Sequence, residues 1–334
     1  MPESAKRSSA LHAFACALVA CMLSTFACAT PGASSAGTAT TPQVQATPRE
    51  RARVVSAREL APGLRELAFA DGSTYRGTLR GSTFQGHGEL VTQDFRYDGD
   101  FQDGLREGQG TYTWPDGGRY EGHFTADRPD GRGVFVFANG DRYAGDVKAG
   151  EIEGRGTYTS RNGDRYEGPF RGGAPDGVGS YRFANGDTYE GEVADGHIRG
   201  WGRYRTAAGD VIEARFVDGM ATGIGKIAFA GGDRYEGELA KGVPTGQGTY
   251  VYASGIRYEG ELRDGAPRGR GTVLFPDGTR FEGTFDGALA GAAGTVLKPD
   301  GTRSAARIVD GEPRPIERHR SGIISRPNTE ASHG

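Results

Sequence analysis

Residues 139–168 read NGDRYAGDVKAGEIEGRGTYTSRNGDRYEG, so the motif NGDRY-x-G at 139–145 returns at 162–168. Alignment on the aromatic residue of Y-x-G gives ten units, and from Tyr97 onward their spacing is constant. A fixed period of this length is typical of a tandem repeat, in which each unit packs on its neighbours. The units start at Tyr75, Tyr97, Tyr120, Tyr143, Tyr166, Tyr189, Ile212, Tyr235, Tyr258 and Phe281.

Each unit contains two short segments with the pattern of a β-strand. The first has the form YEGEL, in which apolar and charged residues alternate, and the second, such as TYVY at 249–252, is rich in β-branched and aromatic residues. Asn-Gly and Asp-Gly pairs, which favour hairpin turns, stand between the units. We therefore predict an all-β fold: an elongated, curved antiparallel meander of about ten tandem 23-residue β-hairpins.

Glycine recurs at fixed places in the unit. It occurs 57 times in 334 residues, far above the usual share of ~7%. Counting the aromatic residue as position 0, position 13 is glycine in all ten units and position 2 is glycine in nine. We interpret these as structural glycines, with position 2 leaving a notch for the ring of a neighbouring unit. Position 2 is occupied by Gly99, Gly122, Gly145, Gly168, Gly191, Gly237 and Gly260, among others.

The unit resembles the MORN (membrane occupation and recognition nexus) repeat, whose pattern is YEGEW.nGk.hGkGt...nGd. Residues 235–257, YEGELAKGVPTGQGTYVYASGIR, and 258–280, YEGELRDGAPRGRGTVLFPDGTR, follow it closely. The resemblance extends over about residues 75–303 and falters at Ile212 and Ala214. It implies tandem β-hairpins that serve as a protein-interaction, dimerisation or scaffold platform near membranes, with any catalysis residing in another domain.

Residues 1–28 have the composition of an export signal, with a short basic start and an apolar run at 11–27. The stretch resembles a bacterial lipoprotein signal, in which a cysteine becomes the lipidated first residue of the mature chain. Cys28 is the favoured lipidation candidate because it ends the apolar run, and Cys21 in LVAC is the other candidate. Ordinary cleavage after Ala29 and a retained N-terminal helix are the alternatives.

These patterns divide the chain into five parts. The assignment is a signal at 1–28, a flexible spacer rich in Ala, Thr, Ser and Pro at 29–50, a lead-in with a partial repeat at 51–74, the repeat array at 75–311 and a polar disordered tail at 312–334.

The two faces of the first strand differ in chemistry. Positions 0, 2 and 4 point to one face and positions 1 and 3 to the other. The first face stacks tyrosines, which form either a core that the repeats make with one another or an aromatic interaction face for an extended peptide or a glycan. The second carries acids with arginines two residues before them, which we interpret as a solvated ladder of ion pairs. The tyrosines are Tyr97, Tyr120, Tyr143, Tyr166, Tyr189, Tyr235 and Tyr258.

The sequence contains no motif for catalysis or metal binding. All cysteines lie within positions 1–28, the six histidines are scattered, and the Asn-Gly-Asp turns are too short for a calcium loop. The formal charge of −3, from 40 basic and 43 acidic residues, gives no net attraction to nucleic acid. We expect no enzyme activity, no cofactor, no metal and no nucleic-acid partner.

The sequence favours a non-enzymatic exported scaffold at the bacterial cell envelope, as a membrane-anchored lipoprotein of the outer membrane or periplasm. Its partner is an unknown protein, and self-association into a homo-oligomer is expected because the end strands of an open sheet present unpaired backbone groups. The alternative is an envelope binding module whose aromatic groove holds a glycan, an extended peptide or lipid.

Overall fold

The computed structural model describes residues 41–45 and 53–316, and within them the fold is all β, with 25 strands in one sheet and no helix. The predicted antiparallel meander is confirmed. The strands are β1 Val54–Ala61, β2 Leu64–Phe69, β3 Thr74–Arg80, β4 Thr83–Val91, β5 Arg96–Gln102, β6 Leu105–Thr113, β7 Arg119–Thr125, β8 Arg128–Val136, β9 Arg142–Lys148, β10 Glu151–Thr159, β11 Arg165–Arg171, β12 Ala174–Pro175, β13 Gly177–Arg182, β14 Thr188–Ala194, β15 His197–Arg205, β16 Val211–Val217, β17 Met220–Ala228, β18 Arg234–Ala240, β19 Val243–Val251, β20 Arg257–Arg263, β21 Ala266–Leu274, β22 Arg280–Asp286, β23 Ala293–Leu297, β24 Arg303–Val309 and β25 Glu312–Pro315.

The sheet is open and follows the order of the chain. Each hairpin pairs with the next, and β1 and β25 at the two ends pair only with β2 and β24. The sheet therefore includes the lead-in segment and runs to Pro315, past the boundary expected at 311, because β25 continues the pairing. The predicted signal, with Cys21 and Cys28, lies outside the described residues, as do residues 317–334 of the predicted tail.

Two kinds of turn connect the strands. Within most units the turn has two residues, both with positive φ, such as Asp103 (φ 50°) and Gly104 (φ 83°) between β5 and β6, which is the backbone of a type I′ hairpin. Between units the turn spans five residues: the amide of Phe137 donates to the carbonyl of Asp141 and the amide of Gly140 to that of Phe137, both at 2.9 Å. The Asn-Gly turns between units are thus where the sequence predicts them.

The two faces of the sheet are buried very differently. On the inner face, which carries positions 0, 2 and 4, tyrosines such as Tyr97 and Tyr120 are 0% exposed, whereas the charged residues of the outer face, at positions 1 and 3, are largely exposed. A single-layer sheet buries one face this completely when it curls toward that face, so that side chains of neighbouring strands close over one another. The core is therefore a continuous aromatic stripe along the array.

Candidate functional site

The tyrosine at position 0 covers two glycines of its own unit. In the unit that starts at Tyr120, side-chain atoms of the tyrosine lie 2.4 Å from where a Cβ on Gly122 or on Gly133 would stand, and these two glycines face each other across β7 and β8. The Tyr120 hydroxyl donates to the carbonyl of His123 at 3.1 Å. The notch at position 2 therefore receives the ring of its own unit, which corrects the expectation of a neighbour's ring.

The seventh unit departs from this arrangement in two coupled places. Ile212 replaces the tyrosine and Ala214 replaces the glycine of position 2, and both are 0% exposed. Isoleucine has no ring to lie over position 2, so the methyl group of Ala214 occupies the space instead. The irregularity that the sequence shows here is a packing compensation between two residues.

The seven tyrosines predicted as an interaction face are 0–2% exposed. Their burial favours the interpretation as a core, because a ligand cannot touch rings that the array itself covers. On the inner side of the sheet, partly covered aromatic side chains recur at position 17 of the units, directly after the second strand. We call this set the position-17 row: Trp114, Phe137, Phe183, Phe229 and Tyr252.

Burial also changes the acidity of the core tyrosines. It raises the pKa of Tyr75, Tyr166 and Tyr258 from 10.0 to about 12, since the interior disfavours the phenolate, and it raises the pKa of the other position-0 tyrosines too.

We expect the array to unfold in alkali between pH 10 and 12. Below pH 10 these tyrosines are neutral in both states, so their contribution to stability is fully present. As the pH rises toward 12, the unfolded chain loses phenolic protons that the folded chain keeps, so stability falls. Tyrosinate absorbance and β-sheet circular dichroism should change together; tyrosinate that forms while the sheet signal persists would contradict this expectation.

Carboxylates along the sheet edge link consecutive units in the middle of the array. Asp141 accepts a hydrogen bond from the amide of Arg161 at 2.8 Å, and Asp164 and Asp187 bond to amides of the following unit in the same way. The hydroxyl of Tyr250 also donates to Asp233 at 2.8 Å. The Asn-Gly-Asp motif therefore does more than form the predicted turn, because its aspartate also joins neighbouring units.

The outer face carries the expected ladder of ion pairs. Arg165 lies 3.0 Å from Glu167 two residues along its strand, and Lys226 lies 3.3 Å from Glu236 on the next strand. Such exposed pairs contribute little stability each. Within residues 41–45 and 53–316, no group of side chains has the makeup of a metal site. No helix in that part of the chain is long and apolar enough to span a membrane.

Arg106 is a buried cation in the aromatic core. Its side chain is 0% exposed, its Nε donates to Asp127 at 3.1 Å, and its guanidinium lies 5.2 Å from the ring centre of Tyr112 and 5.3 Å from that of Phe95. Nη1 has no hydrogen-bond partner within the described part of the chain. The pair is specific to this place, since position 9 holds Pro or Ile in most units and Gly usually stands where Asp127 does.

A short N-terminal segment lies on the inner face beside Arg106. Nη2 of Arg106 donates to the carbonyl of Gln45, Nε1 of Trp114 donates to that of Gln43 at 3.3 Å, and Val44 packs against the core. We call residues 41–45 the strap. They fall inside the predicted flexible spacer, and in the structure two of their carbonyl groups accept hydrogen bonds from a buried guanidinium and an indole.

Arg106, Asp127 and the strap were not predicted from the sequence as a site. The signal was present, because Arg106 and Asp127 each replace the residue type usual at their repeat position. The strap carries no such signal, since its hydrogen bonds are made by its backbone and join residues 61 and 71 positions apart.

Comparison with known proteins bears on the repeats. The family model for the MORN repeat matches residues 97–119, 120–142, 143–165, 166–188, 213–234, 235–257 and 258–280. None of the curated proteins matches this chain.

Two solved structures are similar to this chain at low sequence identity. The TCP10 domain of Danio rerio CPAP, in complex with a peptide of Danio rerio STIL, is 14% identical, with 76% of this chain and 99% of that chain covered and a TM-score of 0.37. The SAS-4 (dCPAP) TCP domain of Drosophila melanogaster, in complex with a proline-rich motif of Ana2 (dSTIL), is 14% identical, with 59% and 88% covered and a TM-score of 0.25.

Proposed function

Because the chain carries seven MORN repeats within residues 97–280, we propose that it is a non-enzymatic scaffold that holds a protein partner at the bacterial cell envelope. In this proposal the chain is exported and anchored through a lipid on Cys28 or Cys21. The spacer after the anchor would hold the array away from the membrane.

The observation that carries the proposal is the continuity of the sheet. Backbone pairing joins every described unit to the next, and edge carboxylates such as Asp141 and Asp187 add further links, so the array is one surface rather than a string of independent modules. At ~4.8 Å per strand, it extends about 110 Å along its contour. A long continuous surface suits a protein that positions others.

The anchor is tested by labelling cells with radioactive fatty acid. We expect label in the wild-type protein. One of the two variants Cys28→Ala and Cys21→Ala should lose the label, which would identify the lipidated cysteine, and Cys16→Ala, the matched control, should keep it. Absence of label from the wild-type protein would refute the anchor and leave the scaffold to be judged by its partner.

The scaffold is tested by photo-crosslinking in the envelope, with the crosslinker placed at the same outer-face position in each of four units. Arg132, Arg155, Gln247 and Arg270 are all at position 12 and, in the structure, on the outer face. We expect the same crosslinked protein from at least two neighbouring units, because a scaffold presents a contiguous surface. A lack of any discrete product from all four positions would count against it.

The strap favours a second candidate function: the inner face binds an extended peptide. Residues 41–45 lie along it through backbone carbonyls and one apolar side chain, Val44, which is how an extended peptide of uncharged residues would bind. The unpartnered Nη1 of Arg106 is, among the described residues, a buried donor beside the same groove.

Replacing Val44 with lysine should release the strap, since it places a second positive charge near Arg106 on a half-buried side chain. In a Trp201→Phe background, the emission of Trp114 should shift to longer wavelength as its cover leaves. Gln43→Lys is the control, because Gln43 is exposed. A synthetic peptide of residues 39–47 should reverse the shift if the groove binds extended segments; failure to reverse it would argue against this second function.

A further inference from the structure

Three consecutive units expose an apolar side chain on the outer face. Position 12 is Val178, Trp201 and Ile224 in these units, and their exposed fractions of 69%, 60% and 62% are the largest among the large hydrophobic residues that the structure describes. The units on either side carry polar residues there, namely Arg132, Arg155, Gln247 and Arg270. An exposed tryptophan flanked by two aliphatic residues in an otherwise charged face is a surface that water does not favour.

These residues lie in one row across five adjacent strands. Val178 on β13 pairs with Glu192 on β14, and the Glu192 side chain accepts a hydrogen bond from the amide of Trp201 on β15 at 3.2 Å. Trp201 in turn pairs with Arg215 on β16. Ile224, on β17, completes the row one strand further on. We call this set the outer stripe.

The charges within the outer stripe are also unusual. Arg215 stands at position 3, where Asp146, Glu192, Glu238 and Glu261 stand in other units. Neither Arg215 nor Glu192 takes part in an ion pair within residues 41–45 and 53–316, and both are exposed. Along the outer stripe the order of side chains is therefore apolar, acidic, tryptophan, basic, apolar. When this row faces its own reverse, the acidic side chain lies opposite the basic one, and each apolar side chain lies opposite another apolar one.

We propose that the outer stripe is the contact through which two copies of this chain form a symmetric dimer. A two-fold axis between the two sheets, parallel to the strands and over Trp201, reverses the row. It places Trp201 on Trp201 of the second copy, Glu192 opposite Arg215, and Val178 opposite Ile224. A two-fold contact requires such self-complementarity, and a central tryptophan is the residue type that most often dominates a contact.

The complementarity of the outer stripe with a second, reversed copy of itself favours another copy of this chain as the partner that covers it. A lipid surface would leave Glu192 and the neighbouring Glu238 without counter-charges, and an unrelated protein would have no reason to match a row that is complementary to its own reverse. The inference goes beyond the proposed scaffold function, because it names a contact between copies that differs from the sheet ends and from the inner face. It can fail while the fatty-acid and photo-crosslinking experiments succeed.

The test is sedimentation equilibrium of the full chain in density-matched detergent. We expect the wild-type protein to form dimers and Trp201→Lys to weaken them by at least about 30-fold in Kd, as is typical of losing a central tryptophan. Gln247→Lys, at the same repeat position outside the stripe, is the matched control and should leave the Kd unchanged. All of these side chains are exposed, so the variants should keep the wild-type circular dichroism.

A charge reversal identifies the partner of each ionic group. Glu192→Arg alone and Arg215→Glu alone should each weaken the dimer, since like charges then face each other. The double variant E192R/R215E should restore it. A monomeric wild-type chain would overturn the proposal, and so would a dimer that Trp201→Lys leaves intact or a double variant that is not restored. A monomer in which Trp201 is needed to crosslink a different protein would also overturn it, in favour of that other occupant.

Discussion

Replacing Asp127 with glycine is expected to lower the free energy of unfolding by about 3–5 kcal/mol, the usual cost of leaving one member of a buried ion pair alone. The replacement is otherwise favourable, because Asp127 has φ 71° and glycine adopts that conformation readily. The loss of the Asp127 side chain leaves the guanidinium of Arg106, which is 0% exposed, without its carboxylate partner. Urea unfolding followed by the emission of Trp114 in a Trp201→Phe background reports on these units.

The double variant R106I/D127G provides the control. It reproduces the pair that Ile152 and Gly173 make two repeat units further along the chain, where the amide of Gly173 donates to the carbonyl of Ile152 at 3.0 Å. Well-packed apolar replacements of a buried ion pair are often neutral, so the double variant should recover most of the lost stability. Additive losses from the two single changes would show that the ion pair is not the cause.

Replacing Gly122 with alanine is expected to cost about 3 kcal/mol, at the upper end of the usual range for overpacking. The added Cβ would stand 2.4 Å from the Tyr120 hydroxyl oxygen and 2.7 Å from the carbonyl oxygen of Arg132. The ring would have to leave its place and give up its hydrogen bond to His123. Urea unfolding followed by circular dichroism and by Trp114 emission measures the loss.

Two further variants separate ring overlap from a general effect of losing glycine. Gly231→Ala should change stability by less than about 0.5 kcal/mol, because a Cβ there meets nothing within 4 Å. The double variant Y120I/G122A copies the arrangement of Ile212 and Ala214 and should be more stable than the sum of the single changes predicts. A strictly additive result would contradict the explanation that the ring and the glycine are coupled.

The sequence was sufficient for the fold because every level of the pattern agrees. The alternation in YEGEL, the aromatic second strand and the turn glycines all specify one hairpin, and repetition at a fixed spacing removes the ambiguity that a single short strand would have. The inward direction of the tyrosines and the exposure of the acids followed from the same alternation. The depth to which the tyrosines are buried could not be predicted from this alternation, because it depends on how far the sheet curls.

The candidate sites were less accessible to sequence reasoning for a physical reason. A repeat pattern describes what the units share, whereas Arg106, Asp127 and the outer stripe are defined by departures from it. Glu192 looks like any other position-3 acid until Arg215 is seen to lie on the far side of Trp201 in the same row. The strap is bound through its backbone carbonyls, and every residue type has a carbonyl group.

The serial pairing of the hairpins also determines how the protein would respond to a pulling force. The strands run across the long axis of the array, and β1 and β25 are its two ends. Tension between an anchored N-terminus and a load at the other end would peel one strand at a time instead of shearing the whole sheet. Each released repeat unit would lengthen the tether by roughly 70 Å. The array would then act as an extensible spring whose reach grows in steps of one repeat.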